Sequence, residues 1–179
     1  MELIGPKVRL RPADGSDFED LYSWWTDPEF AGEYADDYSK SRREVKQLLL
    51  TDSRTFIIED LADGRKIGII SYYHVRSDYP YLYEIGYRIK PGERRKGYTT
   101  EAARLLVDHL FATESIERIE SVTDAENLPS QRVLEKNGFR REGTLRKRFR
   151  LSGVYRDEYM YSLLREEWQR ARSSLAPDS

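Results

Sequence analysis

Residues 89–102 constrain the fold more than any other part of the chain, because the apolar pattern changes period inside them. Upstream, Tyr83, Ile85, Tyr87 and Ile89 alternate with Glu84, Gly86, Arg88 and Lys90, the two-residue period of a strand. Pro91-Gly92 stops that strand. Downstream, Ala103, Leu106, Val107 and Leu110 recur at helical spacing and predict a helix over 99–113. A strand that passes through a short loop into a helix excludes all-helical and all-β architectures and predicts a mixed α/β sheet.

The flanking segments agree with that class. Val8-Arg9-Leu10-Arg11 alternates apolar and basic residues and reads as a first strand ended by Pro12. Ser16 with Glu19 is a capping-box signature, followed at helical spacing by Phe18, Leu21, Tyr22 and Trp25, so a first helix is expected up to Asp27-Pro28. Ser41 with Glu44 repeats the signature before Val45, Leu48 and Leu49. Segments 55–59 and 66–73 are rich in β-branched and aromatic residues, and Asp63-Gly64 marks the turn of an antiparallel hairpin. Further strands are expected over 82–89, 119–122, 139–151 and 154–164, the last two joined at Ser152-Gly153. A short helix is expected over 130–137 with Asn137-Gly138 as its C-cap. The expectation is one domain over 1–170, a mixed α/β sheet flanked by about four helices, and a polar tail over 171–179.

Composition removes several kinds of chemistry. The 179 residues include no cysteine and two histidines, His74 and His109. Disulfides, a thiol nucleophile and a cysteine zinc site are therefore excluded, a His-rich metal site is impossible, and no metal is expected. Thirty basic residues against 32 acidic ones give a formal charge of -2, so no global field favours DNA or an anionic membrane as a partner. The apolar stretch near 67–75 is far short of the roughly 20 residues that span a bilayer. With no leader-like pattern at residues 1–7, a soluble cytoplasmic protein is the expectation.

The charge is local instead. Between Arg88 and Lys96, five basic residues stand against one acidic residue within nine positions. They lead into a helix amino terminus, whose unpaired N–H groups and partial positive charge favour an anion, and Gly97 removes the side chain that would hold one off. This describes a phosphate or diphosphate cradle, although a solvated turn would carry the same run of charge. The spacings of the P-loop and of the dinucleotide-binding fingerprint are absent.

Arg94-Arg95-Lys96-Gly97-Tyr98-Thr99 resembles the Arg/Gln-x-x-Gly-x-Gly/Ala signature of the GCN5-related N-acetyltransferases (GNAT). A second block, Asn127 through Ser130, Val133, Leu134, Glu135 and Lys136 to Gly138-Phe139, is similar to a pattern of the branch that includes bacterial ribosomal-protein alanine acetyltransferases. Thr99 departs from the small residue usual at its position. The resemblance implies the GNAT fold, a mostly antiparallel sheet with a V-shaped splay between two parallel strands, and acetyl-coenzyme A as co-substrate. It implies that Arg94, Arg95, Lys96, Gly97, Tyr98 and Thr99 hold the diphosphate, and that Ile89 and Lys90 pair with the pantetheine arm as an added strand would. It further assigns Asn127 to the end of that arm and Arg132 to the phosphorylated ribose.

For the chemistry, the resemblance makes Glu84 the candidate base. An ion pair with Arg88, which shares its face of the strand, is the structural alternative. Leu134 stands where many relatives carry a tyrosine acid, so Ser130 becomes the candidate partner of the departing thiolate, with helix capping as its alternative role. Glu33, Asp36 and Asp37, together with Tyr72, are candidates for binding a cationic acceptor, and a solvated acidic loop would look the same. A second basic run, from Arg140 to Arg150, reads mainly as a solvated hairpin, with RNA binding as its functional alternative. The expected activity is acetyl transfer to a primary amine by direct attack. The acceptor is a protein amino terminus or, alternatively, a polyamine, an aminoglycoside or an amino acid, and a non-catalytic acyl-coenzyme A-binding module competes with both. A homodimer stays open.

Overall fold

A computed structural model describes residues 1–34, 41–51, 54–76 and 78–174. The chain runs β1 (Leu3–Ile4), β2 (Val8–Pro12), α1 (Phe18–Thr26), α2 (Pro28–Ala31), α3 (Arg42–Thr51), β3 (Thr55–Asp60), β4 (Lys66–Arg76) and β5 (Tyr79–Ile89). It continues through α4 (Tyr98–Thr113), β6 (Arg118–Asp124), α5 (Leu128–Lys136), β7 (Arg140–Leu151), β8 (Val154–Leu164) and α6 (Arg165–Ser173). Among the described residues no helix is long and apolar enough to cross a membrane.

All eight strands share one sheet in the order β1-β2-β3-β4-β5-β6-β8-β7. Each pairing is antiparallel except β5 with β6, which is parallel and lasts for three pairs, Leu82 with Arg118, Tyr83 with Ile119 and Glu84 with Glu120. Beyond Glu84 the ladder stops. The Ser121 hydroxyl donates to the Ile85 carbonyl at 3.0 Å just past that point, and the two strands then diverge. This is the expected splay, and it lies in the middle of the sheet.

Alternation along the strands builds two cores. One face carries Ile70, Tyr83, Ile85 and Ile119 against Leu106, Leu110 and Phe111 of α4 and Leu134 of α5. The other carries Ile57 and Ile69 against Leu21 and Trp24 of α1, Phe30 of α2 and Val45 of α3. The splay is thus a passage between a face covered by α4 and α5 and a face covered by α1 to α3.

Several local expectations are corrected. The capping box at the start of the first helical segment is Asp14 with Asp17, around a 3₁₀ turn, not Ser16 with Glu19. The Ser16 hydroxyl instead donates to Asp14. Asp17 is fully buried between Arg11 and Lys66. Burial alone would raise its carboxyl, but the two cations outweigh that and hold it below the usual carboxylate range. The Ser41 and Glu44 box forms as expected, with Ser41 N–H donating to Glu44 at 2.8 Å and Glu44 N–H to the Ser41 hydroxyl at 3.3 Å. Helix α5 starts at Leu128, earlier than expected, because Asn127 caps it by accepting the Ser130 N–H at 3.1 Å. Helix α6 was not expected at all. Its polar sequence has no apolar stripe, and it docks through Arg165, which donates to the carbonyls of Phe111, Glu114 and Ile116, and through Trp168, which donates to Asp108.

Candidate active site

The loop between β5 and α4 turns on two left-handed residues, Arg95 with φ 66° and Gly97 with φ 87°. Gly97 is the N-cap of α4, and it has no side chain to satisfy the first N–H groups of that 16-residue helix. Those groups therefore point outward as donors, at the positive end of the helix dipole. A Cβ built on Gly97 would meet only the Lys7 ammonium, at 3.7 Å, so the space in front of the helix is open. The cradle fits an anionic group.

Its side chains are arranged differently from what the run of charge suggests. Arg88 lies over Trp25 and Lys90 over Trp24, both on the α1 face. Arg94 donates to the Glu29 carbonyl at 2.9 Å and Lys96 pairs with Glu93 at 2.8 Å. The Tyr98 hydroxyl donates to Asp60 at 2.6 Å. Thr99 lies in the first helical turn and Arg132 is exposed on α5. Much of the basic run therefore packs against α1, α2 and the loop itself, and the donors left facing the open space before α4 are main-chain N–H groups. Lys7, from the turn before β2, joins this loop although its sequence context does not mark it. Its N–H donates to Glu101 of α4 at 2.7 Å and its ammonium to the Lys96 carbonyl at 3.4 Å, which no local pattern could have revealed across 89 residues.

The register of β5 decides which backbone groups face the splay. Lys90 N–H donates to the Ile67 carbonyl at 2.8 Å, on the β4 side. In an antiparallel ladder the hydrogen-bonded pairs alternate, so Arg88 and Gly86 also pair toward β4 while Ile85, Tyr87 and Ile89 turn their main-chain groups toward β6. Of the two residues expected to pair with a pantetheine arm, Ile89 faces the opening and Lys90 does not. Asn127 flanks the opening from the other side, with its side-chain oxygen occupied as the cap of α5.

Glu84 sits at the last β5–β6 pair, at the apex of the splay, with its side chain on the α1 face. It accepts a hydrogen bond from the Tyr73 hydroxyl at 2.6 Å rather than pairing with Arg88. Burial raises its carboxyl above the ordinary glutamate value. Tyr73 opposes that shift, the Glu120 charge adds to it and Arg148 opposes it. The Tyr73 phenol is itself raised, by burial and then by the charge of Glu84. Tyr72, the expected substrate contact, points to the opposite face, where its ring packs edge-on to Tyr83 at 5.0 Å. One residue of parity separates the two tyrosines, and the one beside Glu84 is Tyr73.

Ser130 lies on the α5 side of the opening. Asn127 performs the capping, and the Ser130 hydroxyl meets the Tyr87 hydroxyl at 3.0 Å. Glu33 is in an exposed turn beside Tyr34, whose phenol is raised by a hydrogen bond with Glu33 and also feels Asp124 and Glu126. Those two acids are in turn paired with Arg156. Asp36 and Asp37 lie outside the described residues. No group of three or more potential metal ligands occurs among the described residues.

Comparison with known proteins gives a consistent result. The family model described as "Acetyltransferase (GNAT) domain" matches residues 7–140. The chain is 38% identical to the uncharacterized N-acetyltransferase YnaD of Bacillus subtilis, over 94% of this chain and 99% of that protein. It is 25% identical to the spermidine N(1)-acetyltransferase of Escherichia coli K12, over 90% of this chain and 88% of that one. Its fold matches the crystal structure of a ribosomal-protein-S5-alanine acetyltransferase from Vibrio fischeri with a TM-score of 0.82 at 21% identity, covering 94% of this chain and 98% of that one.

Proposed function

The chain belongs to the GNAT family and is an acetyl-coenzyme A-dependent N-acetyltransferase, and from that premise we propose that it acetylates a protein amino terminus by direct attack within a ternary complex. The observation that carries the direct-attack part of this reading is the open splay with a raised carboxyl at its apex and an outward-facing helix amino terminus at its mouth. Acetyl-coenzyme A supplies the activated acyl group. The diphosphate is assigned to the N–H groups of the 97–100 turn with Lys7 beside them, and the pantetheine arm to the main chain of Tyr87 and Ile89.

An amine attacks only when neutral, so a proton has to leave it on the acceptor side. Glu84 is on that side, facing α1 to α3, and its raised carboxyl brings its affinity for a proton closer to the working pH. Ser130 is on the opposite side, covered by α5, where its hydroxyl would meet the departing sulfur. With no cysteine in the chain, no thioester with the protein stands between donor and acceptor.

The resemblance of residues 127–139 to the ribosomal-protein branch supports an amino-terminal acceptor. A polyamine is the second reading, favoured by the likeness to the E. coli spermidine enzyme. Arg156 pairs with both Asp124 and Glu126, which reduces the negative charge beside Tyr34 that a polycation would meet. Mass spectrometry of a mixture of peptides with free amino termini and spermidine, incubated with acetyl-coenzyme A, decides between them. Acetylated peptide termini are expected, and acetylated spermidine alone would favour the second reading.

The Tyr73 contact gives a pH prediction. Tyr73→Phe removes a hydrogen bond that favours the Glu84 carboxylate, so the carboxyl rises further. The base must be deprotonated to act, so activity is lost as pH falls through its pKa, and that acid limb should move to higher pH. A kcat/KM profile that keeps its acid limb in place would separate Glu84 from that limb.

A further inference from the structure

The sequence pattern gives Tyr87 no role beyond packing, yet its hydroxyl is the partner of Ser130. Tyr87 stands on β5 past the apex of the splay, and Ser130 stands on α5 beyond β6, so their contact joins the two walls of the opening. The phenol has two oxygens of the same residue within reach, the Ser130 hydroxyl at 3.0 Å, where either oxygen can be the donor, and the Ser130 carbonyl at 3.3 Å, which can only accept. The side chain is only partly exposed and packs against the α4 core, which fixes the ring.

We propose that Tyr87 is a positioning residue for transfer, donating its phenolic proton to the Ser130 oxygen so that the serine's own proton is directed at the departing sulfur. A serine hydroxyl that is free to rotate would divide its proton among nearby carbonyls. One that already accepts from a half-buried phenol has one lone pair engaged and becomes a stronger donor through hydrogen-bond cooperativity. The amine nitrogen bonds to the acyl carbon, the carbon–sulfur bond breaks and its electron pair stays on sulfur. Glu84 receives the amine proton and releases it to solvent, and the thiolate, stabilised by the Ser130 hydrogen bond, is protonated from solvent as it leaves, so that amide and thiol are the net products. Tyr87 keeps its proton throughout, consistent with a phenol that burial pushes above its usual range.

This inference rests on the assignment of Ser130 to the leaving group, and a double-mutant cycle separates the two. Ser130→Ala, Tyr87→Phe and the double variant are compared for kcat, KM, dissociation constant for coenzyme A and thermal midpoint. Tyr87→Phe is expected to lower kcat about tenfold, the size of one lost hydrogen bond, with coenzyme A affinity unchanged. In the Ser130→Ala background the same change should lower kcat no further. A parental kcat for Tyr87→Phe, or an equal fall with and without Ser130, overturns the role of Tyr87 while leaving Ser130 in place. A parental kcat for Ser130→Ala removes the underlying assignment. Loss of coenzyme A affinity in Tyr87→Phe would mark a packing role and also overturn the proposal.

Discussion

Gly97→Glu is expected to abolish measurable binding of acetyl-coenzyme A. Gly97 is in the left-handed region at φ 87°, a conformation that costs a residue with a Cβ roughly 1–2 kcal/mol. Strain is the smaller part. The added side chain would extend into the open space in front of α4, where its first carbon meets only the Lys7 ammonium. A carboxylate there occupies the anion site and draws Lys7 to itself. Like charges placed together cost several kcal/mol, so affinity should fall by at least about a hundredfold. Gly97→Ala adds strain and a methyl without charge and should lose about tenfold. Gly92→Ala, in the same loop but at a position where a Cβ meets nothing within 4 Å, should bind as the parent does. Calorimetric titration checks all three, and unchanged affinity in Gly97→Glu would place the diphosphate elsewhere.

Glu84→Gln should lower kcat by about a hundredfold to ten-thousandfold, the range a general base contributes. The amide keeps the volume of the carboxyl and can still accept the Tyr73 hydrogen bond, so folding and cofactor affinity should be retained. The acid limb of the pH profile should vanish with the group that titrates there. A variant with the parental rate and profile would show that water or another residue takes the amine's proton.

Much of the frame was legible because it depends on local period. The strand–loop–helix change at residues 89–102, the hairpin turn at Gly64 and the Ser41–Glu44 box need only neighbours in sequence, and each is found where expected. What the sequence leaves undecided depends on something distant. Tyr72 and Tyr73 are equivalent in the pattern, and only the register with β5 puts Tyr73 beside Glu84. Ser130 reads as the thiolate's partner or as a cap, two roles the sequence does not separate, until Asn127 is seen to take the capping task. The basic run reads as one patch because the sequence does not show that Trp24, Trp25, Glu29 and Glu93 each hold one of its cations. Lys7 and Tyr87 were missed for the same reason, since their contacts cross 89 and 43 residues of chain. Helix α6 has no apolar stripe and is fixed by Arg165 and Trp168 instead.

The central claim is that acetyl moves in one step from the cofactor to an amine held at the splay. Release of coenzyme A thiol, followed with and without peptides bearing free amino termini while the intact mass of the protein is recorded, tests it most directly. Thiol release that depends on the peptide, with stoichiometric peptide acetylation and no acetylated protein accumulating, is the predicted result. Cofactor binding without any peptide-dependent release, or a burst of thiol matched by an acetylated protein, would contradict it.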